Sequence, residues 1–271
     1  MLSNITIGQY FPGESPVHRL DARTKLVLTV LYVVLLFMAD NLAAMAVCAV
    51  LLVVAYPLSR IPPGLILRSI KPILPIILMT TVLNMFFVDG DIVWEYGVLR
   101  VTEQGLWMAL LMTVRIVCLI AGTSLLTYTT SPITLTDGIE RLFSPLKKIK
   151  APVHEIAMMM TIALRFIPTL IEETNKIMSA QKARGADLES GGLMQRIRAL
   201  VPILIPLFVS AFSRAIDLAL AMECRCYHGG EGRTRMHVPK LRPADFFAAF
   251  VLTLLGCAVV FANRYPNLIV K

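Results

Sequence analysis

The chain has 271 residues, of which 56% are hydrophobic and 16% are charged, and its mean hydropathy is +0.71. A soluble domain carries about 25% charged residues, so this composition is typical of a membrane protein and argues against a soluble one. The net charge of +8 does not indicate nucleic-acid binding, because the basic residues form short clusters between apolar blocks, like the loops that orient a polytopic membrane protein.

Five apolar segments are predicted to cross the membrane, since a spanning helix needs about 20 mainly apolar residues. They are residues 26–38, 42–58, 73–88, 106–128 and 246–262. The first two are short, and we interpret the break Ala39-Asp40-Asn41 between them as the tight turn of a helical hairpin. The N-terminus contains no apolar core of the signal-peptide type, so the first span is expected to stay in the mature chain.

Charged residues in the loops predict the orientation, because lysine and arginine in short loops stay cytoplasmic. Basic clusters precede the first span and follow the second and fourth, whereas Asp40 and the acidic segment that begins at Asp89 lie in the other loops. We therefore expect a multi-pass protein of the cytoplasmic membrane with its N-terminus in the cytoplasm. Five crossings would place Lys271 outside.

Residues 152–177 and 200–222 are apolar enough to suggest spans, but basic residues flank both ends of each segment. One simple crossing cannot leave both ends in the cytoplasm. The first segment also carries five charged residues and Pro168, a predicted kink, and in the second Arg214 and Asp217 are neighbours on one helix face. We predict two long amphipathic helices on the cytoplasmic side, the first about 35 residues or about 50 Å long, joined by a flexible turn at Gly191-Gly192.

Each of these helices ends in an arginine between two small residues. The motifs are Ala183-Arg184-Gly185 and Cys224-Arg225-Cys226. Small neighbours leave the guanidinium unshielded. A partner protein could therefore approach closely and accept two hydrogen bonds from it through a carboxylate or through backbone oxygens. A simpler interpretation stays open, in which both are ordinary cytoplasmic arginines that the helix dipole favours at a C-terminus.

Together with the N-terminal YFPGESPVHRLDARTKL, these motifs carry a resemblance over essentially the whole chain. The chain resembles the transmembrane coupling component, or T component, of energy-coupling factor (ECF) vitamin and metal importers, a family with two Ala-Arg-Gly-type motifs at the ends of cytoplasmic coupling helices. Ala183-Arg184-Gly185 matches the first motif fully. In the second, Cys224 and Cys226 replace Ala and Gly. Cys226 lacks the freedom of glycine to adopt a positive φ, which calls the backbone turn into question there, though not the role of Arg225.

The resemblance implies a division of labour with other subunits. Two cytoplasmic ABC-type ATP-binding subunits would bind ATP and Mg²⁺, one holding Arg184 in a groove and the other holding Arg225. One or several substrate-specific integral membrane subunits would capture the vitamin and rest on an apolar surface that includes Met158-Met159-Met160. Methionine suits a surface that repacks against several partners, although packing against the protein core or lipid explains this triplet equally well.

Polar residues inside the apolar segments are further candidates. Arg115 in the fourth span lines a substrate or ion pathway, or else belongs to a buried pair with Asp137, Glu140 or polar atoms of another span, and we favour the pair. Asn84 is a candidate for a hydrogen bond between helices. Asp21 precedes the first helix and is expected to cap it.

The chain is predicted to have no enzyme activity and to hold no cofactor of its own. It lacks both a G-x-x-x-x-G-K-[ST] phosphate loop and an H-E-x-x-H motif. Its five cysteines show no disulfide-framework spacing, and Cys224, Cys226 and His228 lack the fourth ligand of a recognised metal site.

These observations predict an all-α polytopic membrane protein with about five transmembrane helices and long amphipathic cytoplasmic coupling helices. Residues 1–131 would form an N-terminal transmembrane bundle, 132–230 the coupling module, and 231–271 a linker and C-terminal transmembrane helix. The predicted function is that of the coupling subunit of an ECF-type vitamin or micronutrient importer. The alternatives are the T subunit of a dedicated cobalt, nickel or biotin system, and a stand-alone secondary transporter, for which repeated halves would be expected.

Overall fold

The computed structural model describes residues 10–96, 99–149, 152–186, 192–229 and 241–264. These residues form nine α-helices and one β-hairpin, in the order α1 Ala22–Met38, α2 Leu42–Ser59, α3 Pro63–Ile70, α4 Leu74–Phe87, β1 Ile92–Tyr96, β2 Leu99–Thr102, α5 Glu103–Thr129, α6 Pro132–Leu142, α7 Val153–Ala183, α8 Leu193–Glu223 and α9 Pro243–Arg264. Short 3-10 turns, Lys71–Ile73 and Ser144–Ile149, join α3 to α4 and follow α6.

The prediction of an all-α polytopic membrane protein is confirmed. Among the described residues, six helical segments are long and apolar enough to cross a membrane: Leu42–Ser59, Pro63–Phe87, Glu103–Thr129, Val153–Ala183, Ile197–Glu223 and Pro243–Arg264. The set differs from the five predicted spans, because α7 and α8 qualify by length and composition and the 17-residue α1 is shorter than the six. The cytoplasmic-side position of α7 and α8 stays a prediction.

The third predicted span begins earlier than its apolar run suggests. Residues 73–88 correspond to α4, but helical structure already starts at Pro63 and continues through α3 and the 3-10 turn. Arg68 and Lys71, which the charge pattern assigned to a loop, therefore lie in helical backbone. The acidic segment after Asp89 was predicted only as a loop, and it contains the antiparallel hairpin of β1 and β2.

The described residues divide into two compact units. The first, here called the bundle unit, comprises the described parts of Gly8–Gly138 and Pro239–Lys271, and it contains α1 to α5 and α9. The second, the α7–α8 unit, comprises the described parts of Ile139–Val238. The turn predicted at Gly191-Gly192 falls partly outside the described residues, because Gly191 is not among them.

Helix α9 runs parallel to α1 in the bundle unit and is joined to it at both ends. At one end Asp245 accepts a hydrogen bond from the backbone N–H of Asp21 (2.9 Å). At the other end the Asn263 amide donates to the carbonyl of Met38 and accepts from the N–H of Asp40. The predicted capping role of Asp21 is confirmed, since its carboxylate accepts from the N–H of Arg23 (3.1 Å).

Small side chains let the helices of this unit approach closely, as is common in membrane proteins. Ala44 and Cys48 on α2 are fully buried, and Gly122 on α5 faces the ring of Tyr32, where a methyl group would lie 2.5 Å from a ring carbon. The buried Lys25 ammonium donates to the carbonyls of His18 (3.1 Å) and Thr129 (2.8 Å). The base of α1 is thereby joined to the N-terminal segment and to α5.

The α7–α8 unit is built on two helices of 31 residues each. At 1.5 Å per residue each is about 46 Å long, close to the 50 Å predicted for the first. Helix α7 continues through Pro168, and α8 continues through Pro202 and Pro206. Near the start of α7, His154 Nδ1 lies 3.0 Å from the buried carboxylate of Glu140 on α6.

Candidate functional site

The C-terminus of α7 presents the first arginine motif on a Schellman turn. The N–H of Ala186 donates to the carbonyl of Gln181 (3.0 Å) and the N–H of Gly185 donates to Lys182 (3.0 Å), which are the two hydrogen bonds that define this cap. Gly185 has a φ of 86°, the left-handed conformation that the motif requires after the cap residue. Arg184 is therefore the cap residue itself, and its side chain is exposed.

The C-terminus of α8 repeats this turn bond for bond. The N–H of Tyr227 donates to Met222 (3.1 Å), and the N–H of Cys226 donates to Glu223 (2.8 Å). Arg225 occupies the position that Arg184 has in α7, and it is exposed as well. The weak sequence similarity between the two motifs therefore corresponds to one backbone structure that occurs twice.

Cys226 adopts the left-handed conformation with a φ of 54°, although it has a side chain. The absence of glycine had called this turn into question, and the structure forms it nonetheless. An L-residue in this conformation costs about 1 to 2 kcal/mol, so the two Schellman hydrogen bonds hold Cys226 against its intrinsic preference. The shape of the cap is thus kept where the sequence departs from Ala-Arg-Gly.

Neither guanidinium forms a hydrogen bond or ion pair within the part of the chain that the structure describes. Both side chains project from helix ends whose neighbouring residues are small and exposed, Ala183 and Gly185 for one, Cys224 and Cys226 for the other. No described residue therefore covers the planar face or the N–H groups of either guanidinium. A surface with a carboxylate or backbone carbonyl oxygens could bind each arginine through two parallel hydrogen bonds.

An ion pair joins the two helices that carry these arginines. Arg214 Nη2 on α8 donates to Glu173 Oε2 on α7 at 2.6 Å. Helical spacing placed Asp217 on the same face as Arg214, and the ion pair that the structure shows for Arg214 is with Glu173 on the other helix. Glu173 lies eleven residues before Arg184 and Arg214 lies eleven residues before Arg225, so each tip is about 16 Å along its helix from the pair.

Helix α8 exposes a continuous apolar face that the sequence analysis did not single out. Its members are spaced three or four residues apart, as on one side of a helix. We call it the α8 apolar stripe, and it consists of Ile197, Val201, Ile205, Phe208, Phe212, Ile216 and Leu220. The helical period within residues 200–222 was the signal that could have identified it.

The methionine triplet on α7 is only partly exposed. Met159 and Met160 are 59% and 47% exposed, whereas Met158 is partly buried. The triplet is therefore a smaller apolar surface than the α8 apolar stripe.

The intramembrane polar candidates lie in the bundle unit, where each has a partner. Arg115 Nη2 donates to the carbonyl of Ala39 (2.6 Å) in the α1–α2 turn, so among the described residues its oxygen partner is backbone between two other helices and not an acid. Asn84 donates to Thr80 in its own helix (2.8 Å). The side-chain hydrogen bond between α4 and α5 is instead formed by Thr81 and Thr113 (2.7 Å).

The sequence contains Cys224, Cys226 and His228 as candidate metal ligands at the end of α8. Cys224 and Cys226 are exposed free thiols. Across the described ranges, no group of three or more His, Cys, Asp and Glu side chains is placed so as to hold a metal ion.

Comparison with known proteins gives a consistent result. Residues 13–238 match the CbiQ family, described as cobalt transport protein. The chain is 54% identical over 264 residues to the energy-coupling factor transporter transmembrane protein EcfT of Thermosediminibacter oceani, which covers 97% of this chain and 99% of the relative. It is 50% identical over 261 residues to the protein of the same name from Acidaminococcus fermentans (96% and 97% covered) and 50% identical over 236 residues to that of Bacillus subtilis (87% and 89% covered).

Proposed function

Because the chain belongs to the family of transmembrane components of ECF transporters, we propose that it transmits ATP-driven motion of cytoplasmic ATP-binding subunits to a substrate-binding membrane subunit. Family membership makes the chain a transporter component of the membrane rather than a catalytic enzyme. The two ATP-binding subunits, the substrate subunit and the cytoplasmic position of the arginine motifs are parts of the proposal.

The observation that carries this proposal is the repeated helix cap. Schellman caps are common at helix ends, so the turn alone indicates no partner. What the two ends share beyond the turn is an exposed arginine at the cap position between two small residues. Here Arg184 and Arg225 occupy the same position of the same Schellman motif. In the α8 cap this motif forms although Cys226 must adopt the left-handed backbone conformation. Two equivalent arginines fit a pair of similar partner subunits, each with an acceptor groove for one guanidinium.

The substrate subunit would rest on the apolar surfaces of the α7–α8 unit. The α8 apolar stripe is the larger of these, and Met159 and Met160 add an adaptable surface on α7. The ion pair between Glu173 and Arg214 would let the two helices respond together when the ATP-binding subunits move. In this scheme ATP and Mg²⁺ are bound by the partner subunits, and the chain needs no cofactor of its own.

A dedicated metal importer is the second candidate, because the matching family is described as cobalt transport protein. The two candidates differ in the number of substrate subunits that the chain serves. A shared component would associate with several different substrate subunits, and a dedicated one with a single subunit.

Affinity purification of the tagged chain from its native membrane tests the proposal. Wild type is expected to bring two P-loop ATPases and one or more small membrane proteins, whereas an Arg184→Glu, Arg225→Glu double variant keeps the membrane proteins and loses the ATPases. Lys176→Glu is the matched control, since it reverses another exposed charge on α7 two turns before the tip. Absence of any ATPase from the wild-type preparation would reject the coupling function in favour of a stand-alone transporter.

A further inference from the structure

A groove of about 780 Å³ opens between α1 and α9 on the outside of the bundle unit. Its walls are almost entirely apolar, and include Leu31 and Leu35 of α1 and Gly256 and Val260 of α9. Gly256 keeps the groove deep, because a methyl group at that position would lie 3.4 Å from the Leu35 side chain and narrow the space between the helices. None of these residues belongs to the arginine motifs or to the α8 apolar stripe.

One end of the groove is cationic. Arg264, the last residue of α9, lines the groove, and its exposed side chain forms no hydrogen bond or ion pair among the described residues. The same end carries the polar contacts of Asn263 with Met38 and Asp40, so the apolar walls stop at this level. A site with a long apolar floor and one positive group at its mouth matches an amphiphile with an anionic head.

The length of the groove fits one lipid leaflet. From Leu252 to Arg264 the α9 wall extends over twelve residues, or about 18 Å at 1.5 Å per residue. Half of the bilayer hydrocarbon core is about 15 Å thick. Since α9 is long and apolar enough to span the membrane, a groove on it that ends at an arginine would have its mouth near the headgroup region.

We propose that this groove is a binding site for one anionic phospholipid, with an acyl chain along Leu31, Leu35 and Gly256 and the headgroup phosphate on the Arg264 guanidinium. Arginine suits this role because its fork binds phosphate oxygens through two hydrogen bonds. The bound lipid fills the space between α1 and α9 that the protein leaves open. The inference does not depend on the coupling function, because it rests on the bundle unit alone.

Native mass spectrometry of the purified full-length chain tests the site, with phosphatidylglycerol or phosphatidylcholine added after delipidation. Both lipids carry a phosphate, but the choline ammonium of phosphatidylcholine cancels its charge and would lie near the Arg264 cation. Wild type is therefore expected to retain one phosphatidylglycerol about tenfold more than phosphatidylcholine, a preference worth about 1.4 kcal/mol. Arg264→Gln should abolish the preference and leave weak binding of both lipids, and Gly256→Phe should abolish binding of both. The matched controls are Arg68→Gln and Gly64→Phe, since Arg68 is exposed outside the groove and Gly64 has open space around it.

A second measurement avoids substitutions in the walls, in case Gly256→Phe does not fold. Cys257 lines the groove and is exposed, whereas Cys48 and Cys118 are buried. In a Cys224→Ser, Cys226→Ser background, phosphatidylglycerol should slow maleimide labelling of Cys257 about tenfold more than phosphatidylcholine does, matching the expected preference. Equal retention and equal protection by the two lipids, or a lipid-free dimer that shields Cys257, would overturn the proposal.

Discussion

Glu173 on α7 and Arg214 on α8 form an ion pair of 2.6 Å, eleven residues before Arg184 and eleven residues before Arg225 respectively. The two proposed contact arginines therefore lie at equal distances, about 16 Å along their helices, from the point where the helices are joined. A displacement at either tip acts on the pair over the same length of helix. This equal spacing is compatible with the proposed coupling to two similar partner subunits.

Charge reversal at this pair is the first prediction. Arg214→Glu places two carboxylates together, so it should lower the unfolding temperature of the protein and reduce ATP-driven uptake. The double variant Arg214→Glu, Glu173→Arg restores the opposite charges and should recover most of both properties. Circular dichroism and uptake in proteoliposomes measure the two effects, and a double variant no better than the single one would show that the pair does not join the helices.

The second prediction concerns the two helix caps. Gly185→Ala introduces a side chain at a φ of 86° and should destabilise that helix end by about 1 to 2 kcal/mol. Cys226→Gly removes the side chain at a φ of 54° and should be neutral or stabilising, because it relieves the strain of the left-handed conformation. Hydrogen exchange at Ala186 and Tyr227 reports each cap directly. Loss of protection at Tyr227 in Cys226→Gly would contradict the assignment of strain.

The third prediction concerns Asp245 at the start of α9. Its buried carboxylate accepts from the backbone N–H groups of Asp21 (2.9 Å) and Arg242 (2.7 Å). Asp245→Ala leaves both donors without this acceptor and should lower the free energy of unfolding by about 2 kcal/mol. Asp245→Asn keeps one carbonyl acceptor and should cost less. Thermal unfolding in detergent ranks the variants, and equal stability of Asp245→Ala and wild type would reject the role.

The fourth prediction separates a structural Arg115 from one that lines a transport pathway. Because Arg115 donates to the Ala39 carbonyl, Arg115→Met should lower the unfolding temperature, and Arg115→Lys should lower it less because an amine can still donate. Uptake per folded complex should stay at the wild-type level in both variants. Normal stability with altered uptake or substrate selectivity would instead identify a pathway residue.

Hydrophobic runs and caps allowed most of the bundle unit to be predicted. The α1–α2 hairpin, α5 and α9 occur where the apolar segments indicated, because a span of suitable length has little alternative in a membrane. The helical extension back to Pro63 was missed, since Arg68 and Lys71 resemble loop charges. The hairpin after Asp89 was missed because its strands are short and lie in a segment that was interpreted only by charge.

The candidate site was predictable in its residues but not in its geometry. The order of apolar and charged residues along the chain indicated that Arg184 and Arg225 end two long helices with small neighbours. The identical Schellman bonds, the positive φ of Cys226 and the pairing of Arg214 with Glu173 depend on backbone conformation and on packing between distant segments. Local spacing showed only that Asp217 and Arg214 share a helix face, and it gave no information on the partner from α7.

Photocrosslinking from the two arginine positions tests the central claim most directly. A photoreactive amino acid would replace Arg184 or Arg225, one at a time, in the tagged chain in its native membrane, with Lys176 replaced in the control. The account predicts that positions 184 and 225 each crosslink to a P-loop ATPase and that position 176 does not. Crosslinks only to lipid or to the chain itself at both positions would contradict it, and the arginines would then be ordinary charged helix ends.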